Sequence, residues 1–411
     1  MRVSSSMLYQ QGLASMTNQQ GSLLHVQQQL GTGRRILTPS DDPVAASRAL
    51  EVTQASAVND QYATSRKQAN INLSMESNTL TSVVTTIQNI QTLVVQAGSG
   101  SLSDADRASV ATELQDNYNQ LLGLANSNDG NGVYMFAGYQ SATPPFATNA
   151  SGAVQYNGDT GQQLLQVDVA RQMPAGDDGR SVFMSVQGTA TYVASAPAAN
   201  TGTATYSAVT VTDPTNPLYG HSLSLNFATS ATTGKMQYQV MDQSAVPPAA
   251  VGAPVDYVSG TGIQVAGLSI TVSGTPANGD SVSLQPAQQA GTDIFANVQN
   301  VINALKKPVA TDADRAALAN ALATANRKMS NSLDNVSTVQ SSVGSRMQEL
   351  DALNTIGSNR TLNYTQTLSG LQDLDYYSAI TQYYQKQTAL QAAQQSFMQI
   401  QGMNLFKYLQ G

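Results

Sequence analysis

The chain has 411 residues, enough for two or three domains, yet only 11% of them are charged, against roughly 25% in ordinary soluble domains. A formal net charge of -7 and the lack of any Lys/Arg run exclude the basic face that phosphates require, so neither nucleic acid nor insertion into a membrane is expected. Cysteine is absent, which removes disulfides, thiolate catalysis and cysteine-based zinc sites.

In chain order, the first predicted helix runs from about Ser5 to Leu30 and is rich in Gln. Tyr9, Met16, Leu23 and Leu30 stand seven residues apart on it, a repeat that makes a narrow apolar seam which only another helix can cover. Ser4, Ser5, Ser6, Gln10 and Gln11 interrupt any apolar run after Arg2, so a cleaved secretory signal is not expected. No later segment reaches the 18 or so apolar residues of a membrane span.

Gly31-Thr32-Gly33 breaks the first helix. The chain continues through Arg34, Arg35 and Pro39 to Asp41, Asp42 and Pro43. Asp42 suits an N-cap and Pro43 the first helical position, where its missing N–H costs nothing. From Val44 to Gln96 the helical pattern is almost unbroken, a span of about 80 Å at 1.5 Å per residue, with Leu73, Leu80, Ile87 and Val94 as a second seven-residue series. Gly98-Ser99-Gly100 ends it, and Ser103-Asp104-Ala105-Asp106-Arg107 opens the next helix with a capping box. Thr311-Asp312-Ala313-Asp314-Arg315 repeats that opening, which two helices needing the same cap reach without duplication.

Beyond Asn126 the pattern changes. Asn128–Gly132 reads as a turn and Val133–Tyr139 as a short aromatic strand. From about Ser141 to Gln285 the chain is rich in Gly, Thr, Ser and Ala, with alternating segments at Leu164–Val169, Ser207–Val211, Ser222–Phe227, Gln237–Val240, Gly267–Val272 and Ser281–Leu284. This is the pattern of an all-β insert. Helix resumes near Asp293, is interrupted around Pro308, and runs from Asp312 to about Thr355 with Leu322, Met329, Val336, Val343 and Leu350 in heptad register. Gly357 is expected to mark a joint before a last helix that carries Tyr376, Tyr383, Leu390 and Phe397 and ends near Leu409.

The expected fold class is mainly α with a β insert (α+β), long N- and C-terminal helices nesting as a coiled-coil bundle. Residues 1–43 and 357–411 are expected to be terminal helices and linker, marginal in a free monomer because narrow seams without partners leave helices weak in water. Residues 44–174 with 286–356 are expected to form a long-helix bundle carrying a β-hairpin, and 175–285 an outer β domain.

Sites for chemistry are few. His25 and His221 are the only histidines, with no metal-ligating partner at motif spacing. Gly220-His221-Ser222-Leu223-Ser224 begins like a nucleophile elbow but has serine where glycine is required, and reads as a turn into a strand. Arg34, Arg35, Asp41 and Asp42 read as a capped helix with a compensating ion pair, and as candidates for contact between subunits. No cofactor and no enzyme activity are expected.

The run Leu30-Gly31-Thr32-Gly33-Arg34-Arg35-Ile36-Leu37-Thr38-Pro39-Ser40-Asp41-Asp42-Pro43-Val44-Ala45-Ala46 resembles the N-terminal stretch of bacterial flagellins, and Asp104–Ser109 with Glu113 is similar to the flagellin segment opening the second long helix. The start, Met1–Gln11, and the end, Met403–Leu409, resemble the hook-associated branch of that family more than filament subunits. The resemblance implies an extracellular structural subunit, exported unfolded with an uncleaved signal, that forms a ring of like subunits between the first hook-associated protein and the flagellin filament. It also implies a cytoplasmic export chaperone on the C-terminal helix, where Tyr383, Leu390, Phe397 and Phe406 form an apolar stripe that would later enter the polymer core. Tyr9, Met16, Leu23 and Leu30 are the matching self-association candidates at the other end. A minor flagellin of the filament, or a secreted adhesin using the β insert, are the rival readings.

Overall fold

The computed structural model describes the backbone of residues 5–150 and 152–409, and the side chains of residue 7, residues 9–150 and residues 152–399. Helices α1 (Ser5–Thr32), α2 (Pro43–Ala97) and α3 (Asp104–Ala125) come first. Two hairpins follow, β1 (Phe146–Thr148) with β2 (Val154–Tyr156) and β3 (Leu164–Asp168) with β4 (Arg171–Pro174), then the short α4 (Gly179–Phe183). Next come β5 (Val193–Ser195), β6 (Thr205–Tyr206), β7 (Thr210–Val211), β8 (Leu223–Thr229), β9 (Met236–Asp242), β10 (Ala249–Asp256), β11 (Gly262–Val265), β12 (Leu268–Ser273) and β13 (Ser281–Gln285). The chain closes with α5 (Ile294–Leu305), α6 (Asp312–Gln372) and α7 (Tyr376–Leu409). The fold is mainly α with a β insert.

Contacts divide the chain into two compact units. One comprises the chain up to Thr64 together with the chain from Ala352 onward; the other is Ser65–Asp351.

In the Ser65–Asp351 unit the predicted seams are closed. Leu73, Leu80, Ile87 and Val94 of α2 and Leu322, Met329, Val336, Val343 and Leu350 of α6 are all buried. The two helices run antiparallel: Gln340 Nε2 donates to Thr81 Oγ1 (2.9 Å) and, ten residues further along α2 and ten back along α6, Gln91 Nε2 donates to Ser330 Oγ (3.2 Å). The capping box at Ser103/Asp106 forms as read, and Thr311/Asp314 makes the equivalent pair of bonds at the start of α6. Against this pair α3 packs on α5, with Tyr118 edge-on to Phe295 at 6.1 Å.

Val133–Tyr139 is not the expected strand. Asp129 Oδ1 accepts the N–H groups of Asn131 (2.9 Å) and Val133 (3.1 Å), folding the backbone into turns that contact strand-like structure only at the single bridge Asn128↔Tyr134. The turn points Phe136 inward, where it meets Phe183 edge-on at 5.3 Å. Phe146 and Phe295 complete this aromatic cluster, with Phe146 5.4 Å from Phe183 and 5.2 Å from Phe295. Four of the chain's seven phenylalanines thus fasten the β1–β2 hairpin and α4 to the helices.

The β insert is a sandwich. One sheet has the order β10-β9-β8-β13-β5, the other β11-β12-β6 with β7 also on β12. Inner residues of both, among them Leu223, Leu225, Phe227 and Leu284 from the first and Ile263, Leu268, Ile270 and Val272 from the second, share one core. Of the expected strand Ser207–Val211 only β7 forms; β6 precedes it, and between them Ser207 Oγ accepts the N–H of Thr271 (3.0 Å). At the β11–β12 hairpin Ala266 (φ 50°) and Gly267 (φ 77°) form a two-residue turn with both residues left-handed. A side chain at Gly267 would place Cβ 1.9 Å from the Asp213 carbonyl oxygen, so only glycine fits there.

Charged side chains tie the β3–β4 hairpin to the helices. Arg66 Nη1 donates to the Val167 carbonyl (3.0 Å), and Arg171 makes a two-pronged bond to Glu349 (2.6 and 2.8 Å). Just past β4, Asp177 pairs with Arg346, and its N–H donates to Oε1 of Glu76 (3.2 Å). Glu76 is 2% exposed and, among the described residues, its other oxygen, Oε2, has no hydrogen-bond partner. Burial, and then the adjacent Asp177 carboxylate, push its pKa up to about 8 against the opposing pull of Arg346.

A carboxyl whose folded pKa is raised contributes its stability in full below the unfolded value near 4.5, and that contribution is lost as pH rises toward 8, by at most about 1.4 kcal/mol per pH unit. Glu76→Gln, which is neutral at every pH, is expected to gain stability relative to wild type from pH 5 to pH 8 and to keep a constant lead above that. Urea denaturation of both proteins across this range checks it; parallel curves would show that Glu76 ionises without cost.

Candidate assembly surface

The surface described next lies within the unit formed by the chain up to Thr64 and the chain from Ala352 onward. Its two terminal helices pair antiparallel. At one end Tyr9 meets Phe397, ring centroids 5.1 Å apart, and the same phenyl ring would touch a Cβ at Gly12 (3.0 Å). At the other end the chain reverses at Gly33 (φ 69°), beside the Tyr376 hydroxyl.

A polar clasp holds this second end. Arg34 and Asp373 form a one-residue antiparallel bridge: the Arg35 N–H donates to the Gln372 carbonyl (2.7 Å) and the Leu374 N–H to the Gly33 carbonyl (2.9 Å). Arg35 Nη2 donates to the Leu371 carbonyl (2.7 Å), satisfying an orphan acceptor at the end of α6. Its Nη1 reaches Asp42 Oδ2 at 3.3 Å, the expected ion pair. Asp42 caps α2 by accepting the Ala45 N–H (3.0 Å), and that bond, helped by Arg35, holds its pKa below the usual value. Asp41 accepts from the N–H groups of Thr38 (2.8 Å) and Leu37 (2.9 Å), which lower its pKa in the same way, and lies 3.8 Å from His25. Thus Arg35, Asp41 and Asp42 are brought together, while Arg34 joins through its backbone with its side chain exposed.

The expected joint at Gly357 is absent. Helix α6 runs through it to Gln372, and the break falls at Asp373–Asp375. Gly357 is buried, and its carbonyl accepts from Asn59 Nδ2 (3.1 Å) and Thr361 Oγ1 (3.1 Å); the small residue permits close approach of α2 rather than a bend. Asp375 is the cap that restarts the helix, accepting from the Tyr377 N–H (3.0 Å) and the Ser378 hydroxyl (2.7 Å). Sequence reasoning missed this cap, although an Asp three residues before Ser378 is its signal.

The seams of this unit are only partly covered. Met16, Leu23, Leu30, Tyr383, Leu390 and Phe397 are half-buried and Tyr9 is 45% exposed; the Phe406 side chain lies outside the described residues. Among the described large apolar side chains of the unit only Val26 is buried. A second set on α7, Tyr377 (84% exposed), Tyr384 and Met398, lies one residue beyond the expected stripe and, with Ile380, is exposed. Leu13 and Leu24 of α1 and Leu362 of α6 are exposed as well. A surface of this kind marks a site of contact with other protein.

His221 Nδ1 pairs with Asp242 Oδ2 (2.8 Å), while the neighbouring Ser222 hydroxyl donates to Gln289 Oε1 (2.6 Å), so serine and imidazole are not linked. Among the described residues no group of three His, Asp or Glu side chains is placed to hold a metal, and no helix is long and apolar enough to cross a membrane.

Comparisons with known proteins agree with this architecture. Residues 3–141 match the bacterial flagellin N-terminal helical region and residues 327–409 the bacterial flagellin C-terminal helical region. Flagellar hook-associated protein 3 of Escherichia coli is 34% identical over 408 residues, covering 99% of both chains; that of Salmonella typhimurium is 33% identical with the same coverage. Among solved structures, flagellar hook-associated protein 3 from Legionella pneumophila is 30% identical with a TM-score of 0.71, covering 78% of this chain and 98% of its own. FlgL from Xanthomonas campestris is 27% identical with a TM-score of 0.67, covering 77% and 99%. From the paired helical termini and these similarities together, the chain belongs to the bacterial flagellin family, in its hook-associated protein 3 group.

Proposed function

We propose that this chain is a structural subunit of the bacterial flagellum that forms the junction between hook and filament. One observation carries the reading: a helix pair, α1 with α7, that is fixed at its clasp yet leaves its apolar stripes open. Side chains such as Tyr377, Ile380 and Tyr384 are stable in water only at a cost, which contact with neighbouring subunits removes. A solved relative from Legionella pneumophila is described as a flagellar junction protein, and the curated relatives are hook-associated.

In this reading like subunits form a ring through α1 and α7, with the first hook-associated protein on one side and flagellin on the other. Tyr9, Met16, Leu23 and Leu30 meet the α7 stripe of Tyr383, Leu390, Phe397 and Phe406, and the exposed set on α7 meets the next subunit. A cytoplasmic chaperone covers the α7 residues before the chain is exported without cleavage. Residues 1–43 and 357–411 then act as the polymer core, 44–174 with 286–356 as the bundle, and 175–285 as the outward β domain. The role is mechanical, and the chain is not an enzyme.

Antibody raised against 175–285 and applied to flagellated cells tests the role. A single band where hook meets filament is expected; label along the whole filament would make the chain a filament subunit. In the free monomer, amide exchange is expected to be faster throughout α1 and α7 than in the buried stretches 73–94 and 322–350, because partly covered seams leave helices marginal. Equal protection would refute the need for a partner. Ile380→Asp places charge on an exposed position, so the thermal melt of the monomer should be unchanged. In cells the same variant is expected to shed filaments; normal swimming would remove the exposed set on α7 from the interface.

A further inference from the structure

A cavity of about 370 Å³ opens in the Ser65–Asp351 unit between α5, the first turns of α6 and the 195–206 segment of the insert. Much of its wall is apolar, including Val301 and Ala304 of α5 and Ala317, Ala321 and Ala325 of α6. Lys328 lines it too. This side chain is half-buried, and its ammonium group lies against Gly291, where a Cβ would sit 3.4 Å from Nζ. Among the described residues the ammonium has no hydrogen-bond or ion-pair partner, and burial alone lowers its pKa.

Two carboxylates share the cavity, but both are engaged elsewhere. Asp280 accepts the N–H groups of Thr201 (2.9 Å), Gly202 (2.9 Å) and Ala277 (2.8 Å). Asp314 Oδ2 accepts from the N–H groups of Ala310 (3.2 Å) and Thr311 (2.9 Å) and the Thr311 hydroxyl (2.8 Å), as the cap of α6. A second ammonium, the exposed Lys307, also lines the cavity. The Lys328 ammonium contacts neither carboxylate, and an anion entering beside it would offset the cost of its partial desolvation. The apolar part of the wall favours an anion with a hydrocarbon body, since an inorganic anion would leave it uncovered.

We infer that this cavity is a binding site for a small organic anion with an apolar body, its carboxylate or equivalent group held by Lys328. The binding is independent of assembly at the terminal helices. Lys307 adds attraction at longer range, so its removal matters less than that of Lys328.

The test uses the full chain with its lysines reductively methylated with a ¹³C label, which keeps their charge. Hexanoate is titrated, with hexanol and hexylamine as neutral and cationic counterparts, and the Lys328 resonance is assigned from Lys328→Arg. The expected result is saturable hexanoate binding that raises the Lys328 pKa, weaker binding of hexanol, and none of hexylamine. Lys328→Met should weaken hexanoate at least tenfold and Lys307→Met by a few fold; a melt confirms that each variant is folded, and Lys328→Gln replaces Lys328→Met if it is not. Hexanoate binding unchanged without Lys328, hexanol bound as tightly as hexanoate, or no saturation at tens of millimolar would each overturn the assignment.

Discussion

The structure depends on one constraint: an apolar residue every seventh position makes a stripe too narrow to be covered by anything but another helix. Burying a Leu, Val or Met on such a stripe is worth about 1.5–3 kcal/mol, and the gain is realised only where a partner helix runs alongside. Between α2 and α6 in the Ser65–Asp351 unit the partner is present, and Leu80, Ile87, Met329, Val336 and Val343 are inaccessible to water. Between α1 and α7 the same spacing gives half-buried residues around the Tyr9–Phe397 contact. One sequence device therefore produces a closed core in one place and an open surface in another.

An open helix pair needs another means of fixing its geometry, and polar bonding supplies it. The segment 33–42 is ordered by carboxylates that collect backbone N–H groups and by a guanidinium that reaches a helix-end carbonyl. These groups replace the water that would otherwise solvate helix ends, and their geometry is directional where apolar contact is not. The angle at which α1 leaves α7 is thereby set without a core. The β3–β4 hairpin is held by the same logic, with Arg66, Arg171, Arg346 and Glu76 adding directional bonds to the burial of Val167 and Met173.

Much of this was readable in advance. Capping residues at Asp42, Ser103 and Thr311 fixed the starts of three helices because a cap acts within three residues of itself. Strands such as Leu164–Asp168 and Leu268–Ser273 showed alternation because one face is buried. Others did not: β10 is exposed along nearly its whole length, an edge strand with no buried face to impose a period, and β5 and β6 are too short to carry one. At Val133–Tyr139 aromatic content suggested a strand, but the Asp129 and Asn128 side chains capture the backbone first. Gly357 looked like a hinge because glycine permits bending, whereas here its use is the room it leaves for Asn59.

The sequence by itself determined most helix starts, the β insert and the heptad stripes, because periodicity, caps and turns are local and act over a few residues. Tertiary structure alone decided which stripes are closed and which are open, since burial depends on what lies opposite. It also paired Arg35 with Leu371 and Arg171 with Glu349, bonds between residues far apart in sequence that no local pattern specifies. The isolation of Glu76 Oε2 and of the Lys328 ammonium has the same origin: whether a charge meets a partner is settled by the three-dimensional neighbourhood, and spacing along the chain carries no record of it.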